Sequence, residues 1–458
     1  MQTNMVTIEA IKSFDADKLA QWLYKQAMMD DRLYRSLEQL LSNTNDQVAV
    51  KAIKSEIAGI RRSRKFLEYG KSFAYARKLD DLLDRISQVQ PPIMRLELLE
   101  GFILTDESVF ARIDDSAGVI QSVYAEAERM WREHAAILDD KHLYKSLMKL
   151  RVCDGFGTRN IFGDFIPVAI LEKIYQELYQ SVKENQSVQF DRFNDVATMK
   201  TCAHFLKSPE KYIEAITLDK GTVPDYEIVD VAKEYLYADM PKKTIELLES
   251  MHKIPHNTIE DYFSLLIEAY EQFHNEEAIT KAYQKWYEKT HKPSILQKYL
   301  DRLDTETQQE VRNKALQDAE KMDFVEAMRF FKAMDARELA VCYIFEHTNA
   351  LKTEYMYAKE FNALVKWLRE ENSEAAILLY RNAAESSLRS AQSKYYPWAI
   401  RHLESMVKIA DDAKIEEWTI EPNKSYIKRL AKTHERKIKF QTLLKESISL
   451  TTYVPGIR

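Results

Sequence analysis

Residues 228–251 read IVDVAKEYLYADMPKKTIELLESM. Ile228, Val231 and Tyr235 fall three and four positions apart, with Leu236 beside them on the same face; after a break at Asp239-Met240-Pro241, Ile245, Leu248 and Met251 recur every three. One apolar stripe, a turn and a second stripe describe a helical hairpin. The pattern returns at once, with Phe263, Leu266 and Tyr270 on a first helix and Ile279, Tyr283 and Trp286 on a second. Tyr235 and Tyr270 stand 35 residues apart, near the tetratricopeptide period. Hairpins of this kind bury their apolar faces only against neighbours, so they stack into arrays. Further pairs are predicted in 311–346 and 359–390, with Glu326-Ala327-Met328 and Glu374-Ala375-Ala376 opening their second helices.

Composition extends this reading to the whole chain. Nine Gly and eleven Pro in 458 residues lie far below the ordinary roughly 7% and 5%. Tight sheet turns and phosphate-cradling loops need glycine, so the predicted fold is all-α, with few left-handed turns: a tetratricopeptide-like helical-hairpin solenoid behind an N-terminal helical domain. Towards the N-terminus, Asp15 or Asp17 caps a helix carrying Leu19, Trp22, Leu23 and Ala27, and Asp46 caps one carrying Val50, Ile53, Ile57 and Ile60. Pro91-Pro92 ends a later helix. The expected partition is 1–90, an N-terminal helical region; 91–222, helices with Gly/Asp-rich loops; and 223–458, the repeats and C-terminal helices.

Several function classes lose support. A net charge of −6 speaks against a surface coated by nucleic acid, while allowing a local basic patch. Cys153, Cys202 and Cys342 stand far apart, which points to a reducing, cytoplasmic setting without disulfide or metal cluster. No run of 18 apolar residues occurs and no basic leader opens the chain, so no membrane span or secretory signal is expected. No Rossmann fingerprint, phosphate-binding glycine loop or His-Glu-x-x-His is present, and no cofactor is expected.

Two sets of residues bear on chemistry. Asp114, Asp115, Asp154 and Asp164 lie in or beside Gly-bearing loops; with Arg112, Ser116 and the nearby cations Arg61 and Arg64 they form a candidate pocket for a divalent cation or a phosphate. Alternatively, Asp114 and Ser116 cap the following helix while Asp154 and Asp164 stabilise turns. Residues 51–78 carry nine Lys/Arg against two Glu, and a second basic stretch holds Lys432, His434, Arg436 and Lys437. Either could meet phosphates or be a solvated helix face.

Taken together, Ile60-Arg61-Arg62-Ser63-Arg64-Lys65-Phe66 with Tyr75-Ala76, Arg112-Ile113-Asp114-Asp115-Ser116-Ala117-Gly118, the loop of Asp154-Gly155-Phe156-Gly157 and Gly163-Asp164, Ser393-Lys394-Tyr395-Tyr396 with Ala399 to Leu403, and Tyr426 with His434-Glu435-Arg436-Lys437 and Phe440 resemble a bacterial group, domain of unknown function 6880. The resemblance runs over nearly the whole chain. It implies a helical fold and a bacterial source, and supplies no reaction. The leading expectation is therefore a protein-interaction scaffold of a bacterial cytoplasm that binds protein or peptide. One alternative is a metal-dependent or phosphate-ligand enzyme using Arg112, Asp114, Asp115, Asp154 and Asp164. The other is a nucleic-acid-binding regulator or defence component.

Overall fold

A computed structural model describes residues 11–12, 15–42, 46–151, 161–184, 189–348, 350–390, 392–451 and 453. The protein is all-α. Among the described residues the sole β-pairing is an isolated parallel bridge between Leu67 and Ile113. The helices group into two compact units, Met1–Leu265 and Leu266–Arg458.

The first unit begins with α1 (Ala16–Ala27), α2 (Asp31–Ser42), α3 (Asp46–Arg62), α4 (Tyr69–Ser87), α5 (Pro92–Ile103), the short α6 (Asp106–Phe110), α7 (Val119–Ala135) and α8 (Asp140–Leu150). It continues with α9 (Val168–Lys183), α10 (Gln189–Phe205), α11 (Pro209–Lys220), α12 (Ile228–Tyr237) and α13 (Pro241–Glu249), and α14 (Ile259–Glu271) begins within it. One apolar cluster runs from Val50 to Ala215 and fully encloses Leu82, Leu99, Phe102, Ile120 and Trp131. Each such side chain contributes roughly 1.5–3 kcal/mol by leaving water. On either side of residues 90–91, α4 and α5 both pack on α7 and feed this same cluster. Pro91-Pro92 therefore restarts a helix inside one core: Pro92 opens α5, where a missing N–H leaves no bond unmade.

The second unit contains α15 (Glu276–Thr290), α16 (Pro293–Leu300), α17 (Thr305–Ala319), α18 (Phe324–Ala333), α19 (Arg337–Glu346), α20 (Ala358–Arg369), α21 (Ser373–Arg389), α22 (Tyr396–Ala413), α23 (Asn423–Thr433), α24 (Ile438–Glu446) and α25 (Ile448–Thr451). Successive helices pack on one another, most extensively α21 on α22. Polar side chains start several of them: Asn275, Asp304, Asp323 and Asn372 each accept a hydrogen bond from a first-turn amide, satisfying donors that a helix start leaves unpaired.

The helix ends differ from expectation. Lys207, Asp239, His274, Asp335 and Lys414 adopt left-handed conformations, with φ of 50°, 60°, 51°, 48° and 49°. In each case the next residue's N–H reaches the carbonyl five positions back: Ser208 to Ala203, Met240 to Tyr235, Asn275 to Tyr270, Ala336 to Phe331 and Ile415 to Ala410. This is the Schellman closure, made here without glycine. The 35-residue spacing of Tyr235 and Tyr270 marks the same place in two successive turns.

Candidate functional site

Arg112 lies on the loop between α6 and α7 and is buried. Its guanidinium donates to the Tyr75 hydroxyl at 2.5 Å and to the Lys65 carbonyl at 3.4 Å, and packs 5.0 Å from the centre of the Tyr75 ring. Its Nε, also buried, has no partner among the described residues. The backbone around it is tied to the basic stretch: the Leu67 N–H donates to the Arg112 carbonyl at 2.9 Å, and the Asp114 N–H to the Leu67 carbonyl at 3.0 Å. Arg112 therefore fastens one segment to another from inside.

The neighbouring carboxylates have local partners. Asp115 accepts from the N–H groups of Ile120 at 3.0 Å and Gln121 at 2.9 Å, which are first-turn donors of α7. Gly118 precedes that helix at φ +69°, a conformation that would cost a side chain roughly 1–2 kcal/mol. Asp114 accepts from the Ser116 hydroxyl at 2.5 Å and the Ser116 N–H at 3.1 Å; those bonds hold its carboxyl below the ordinary range. Arg61 and Arg64 are exposed. Asp164 lines a cleft of about 400 Å³ with Arg129, Arg132, Phe162, Phe165 and Phe205, a lining that includes none of Arg112, Asp114, Asp115 and Ser116. Asp154 lies outside the described residues. The structure thus brings Arg112, Asp114, Asp115 and Ser116 onto one loop beside Lys65–Leu67 and places Asp164 in different surroundings. Among the described residues no group of three or more His, Cys, Asp or Glu side chains is arranged to hold a metal ion.

The same blocks that frame this loop extend along the chain, and the model of a family described as "Family of unknown function (DUF6880)" matches residues 3–180 and 172–442. The chain belongs to DUF6880. No curated protein matches it. Among solved structures it is similar to one described as a circular tandem repeat protein with novel repeat topology and enhanced subunit contact surfaces, at 15% identity over 95% of this chain and 94% of that one, with a TM-score of 0.16. A superposition that loose adds nothing to the fold.

This DUF6880 chain has a larger cleft, of about 430 Å³, between α10, α11 and α12. Glu227, buried in the turn before α12, accepts from Lys200 Nζ at 3.0 Å and from Lys220 Nζ. Burial pushes the Glu227 carboxyl up, but hydrogen bonds from Lys220 and Lys200 outweigh it and hold the pKa below the usual range. Lys200 also sits 4.8 Å over the Tyr212 ring. Opposite, His204 Nδ1 lies 2.9 Å from Glu234, and its ring stacks on Tyr237 at 4.0 Å. Two ammonium groups share the Glu227 carboxylate, and Asp219 and Glu234 also line the cleft, so its walls carry both signs of charge beside an oriented imidazole; Phe193 and Tyr212 add apolar surface. A space of that size accepts a side chain or a short turn of another molecule. Beside it, Cys202 is fully buried, and burial pushes its thiol up to about 12, so it does not offer a thiolate. Sequence reasoning did not single out Lys200, Lys220, Glu227 or Glu234. Lys200, Lys220 and Glu234 come from three different helices and Glu227 from the turn before the third, and no local spacing relates them.

In the second unit, the C-terminal basic set divides. Lys432 and Arg436 are exposed. Lys437 donates to the Leu388 carbonyl at 2.5 Å, in the last turn of α21, where a cation also meets the helix dipole. His434 is half-buried against Phe440, and its pKa is lowered by burial and by Lys437.

The segment between α19 and α20 carries another feature. Asn382, on α21, accepts from the Thr353 N–H at 3.2 Å and the Thr353 hydroxyl at 2.6 Å, and donates to the Leu351 carbonyl at 2.8 Å. Leu351 and Thr353 are buried. The chain then turns outward and leaves Tyr355 70% and Tyr357 80% exposed.

Proposed function

We propose that this protein is an interaction scaffold of a bacterial cytoplasm that binds a partner protein or peptide. The pinned tyrosine pair carries the reading. Large aromatic side chains are poor surface residues and good interface anchors. Tyr355 and Tyr357 project from a segment whose base is held by three hydrogen bonds to one side chain, so little ordering entropy remains to be lost when a partner closes over them. The cleft bounded by α10, α11 and α12 supports the same reading in the first unit, because its mixed charge and aromatic floor suit a peptide side chain better than a reaction.

The test is affinity capture compared across variants. Wild-type protein should retain a defined partner from its native lysate. The double variant Tyr355→Ala, Tyr357→Ala should lose it by at least tenfold, since anchors of this kind are worth about 2 kcal/mol or more. Lys200→Glu reports whether the cleft contributes. Retention of the same partner by all three proteins would refute the reading.

A further inference from the structure

We propose that the turn joining α3 to α4 is a binding site for single-stranded nucleic acid, separate from the protein-binding surfaces above. Residues 61–78 carry seven Lys/Arg (Arg61, Arg62, Arg64, Lys65, Lys71, Arg77 and Lys78) against the single acid Glu68. All seven are exposed. Among them stand three aromatic rings that the core does not use: Phe66 is 63% exposed, Tyr69 48% and Phe73 47%. Tyr69 and Phe73 are one helical turn apart on α4, with ring centres at 6.1 Å and planes at 89°. One ring thus presents a face and the other walls it. Cations that follow a phosphate chain, interleaved with ring faces on which bases stack, are what unpaired strands require. The bases of a duplex are already stacked and cannot use the rings.

Rigidity argues in the same direction. The turn is pinned from beneath by the Leu67–Ile113 bridge and by Arg112, which donates to the Lys65 carbonyl. Two acids on the loop tied to this turn are already engaged, Asp114 with Ser116 and Asp115 with the start of α7, which leaves Glu68 as the one acid within the turn itself. The net charge of −6 disfavours a nucleic-acid strand over most of the surface and leaves local basic patches such as this one as the places where it can bind.

Fluorescence anisotropy of the full-length protein with a labelled oligothymidine of ~20 nucleotides tests this. Oligouridine distinguishes RNA from DNA, and a duplex of the same length and anionic vesicles serve as competitors. Binding should weaken about 50-fold between 50 and 200 mM salt if about four phosphates are neutralised. Phe66→Ala and the pair Tyr69→Ala, Phe73→Ala should each lose about tenfold or more, with the thermal midpoint unchanged because the rings are exposed. Should a ring variant lose stability, Arg61→Glu with Arg64→Glu repeats the test on exposed charged positions, with the same loss expected. Absence of binding at 50 mM salt overturns the proposal. So does equal affinity for the duplex or the vesicles, or binding indifferent to the rings.

Discussion

Replacing Asn382 with alanine separates a segment that presents Tyr355 and Tyr357 from one that merely carries them. The amide makes three hydrogen bonds to Leu351 and Thr353. A net contribution of about 1 kcal/mol per bond puts the release of the segment at about 3 kcal/mol, a rise of about a hundredfold in local opening. Hydrogen exchange read by mass spectrometry over residues 351–357 should show the Thr353 amide losing about two decades of protection. Peptides from the interior of α21, including the fully buried Leu379, should keep theirs. Partner capture should weaken as well, although both rings remain, because the ordering cost returns at the moment of binding. Native exchange at the rate of an open chain, or a variant that exchanges no faster than wild type, would show that Asn382 does not hold the segment.

Other outcomes follow from single observations. Lys207→Gly should raise the unfolding free energy by about 0.5–1 kcal/mol, as relief of left-handed strain exceeds glycine's extra chain entropy; an unchanged or lower urea midpoint would contradict the turn as described. Glu374 is buried and accepts from the Thr419 N–H at 2.9 Å, the Thr419 hydroxyl and the Ile420 N–H at 3.4 Å, so Glu374→Ala should destabilise the second unit by about 2–4 kcal/mol; equilibrium urea unfolding checks this. His402 packs against Phe361 and Tyr380, each at 5.8 Å, and burial pushes its pKa below the ordinary value. The unfolded chain therefore binds this proton more readily, so stability rises with pH and is lost as pH falls below about 6.5. Thermal midpoints from pH 7 to pH 5 should fall less in His402→Phe than in wild type, and an identical slope would remove His402 from the account.

The apolar stripes were legible because helices declare themselves by period. Ile228 to Met251 gave a hairpin and the structure has α12 and α13 there; Asp15 caps α1, its carboxylate accepting from the Lys18 N–H at 3.0 Å. Five-residue α6 escaped, since a segment shorter than two turns shows no periodicity. Residues 311–346 contain parts or all of three helices in place of one pair, because the turn at Asp335 resembles helical sequence until its φ is known. Left-handed turns were undercounted for a related reason: scarce glycine limits such turns only where nothing else holds the backbone, and here packed neighbours do. At the site, Asp114 and Ser116 were read as capping the following helix; they bond each other, and the carboxylate that meets the first-turn donors Ile120 and Gln121 is Asp115, a choice that depends on the backbone path through Gly118. The Lys200–Glu227–Lys220 arrangement was not legible at all, being a product of how three helices meet.

In the second unit almost every helix rests on the one before it and the one after it. Such a chain transmits a push poorly beyond the next link, so damage at one position frays a neighbourhood and spares the remainder. Its melting should broaden into overlapping steps, and small rotations between adjacent hairpins can add up to an adjustable grip along the run.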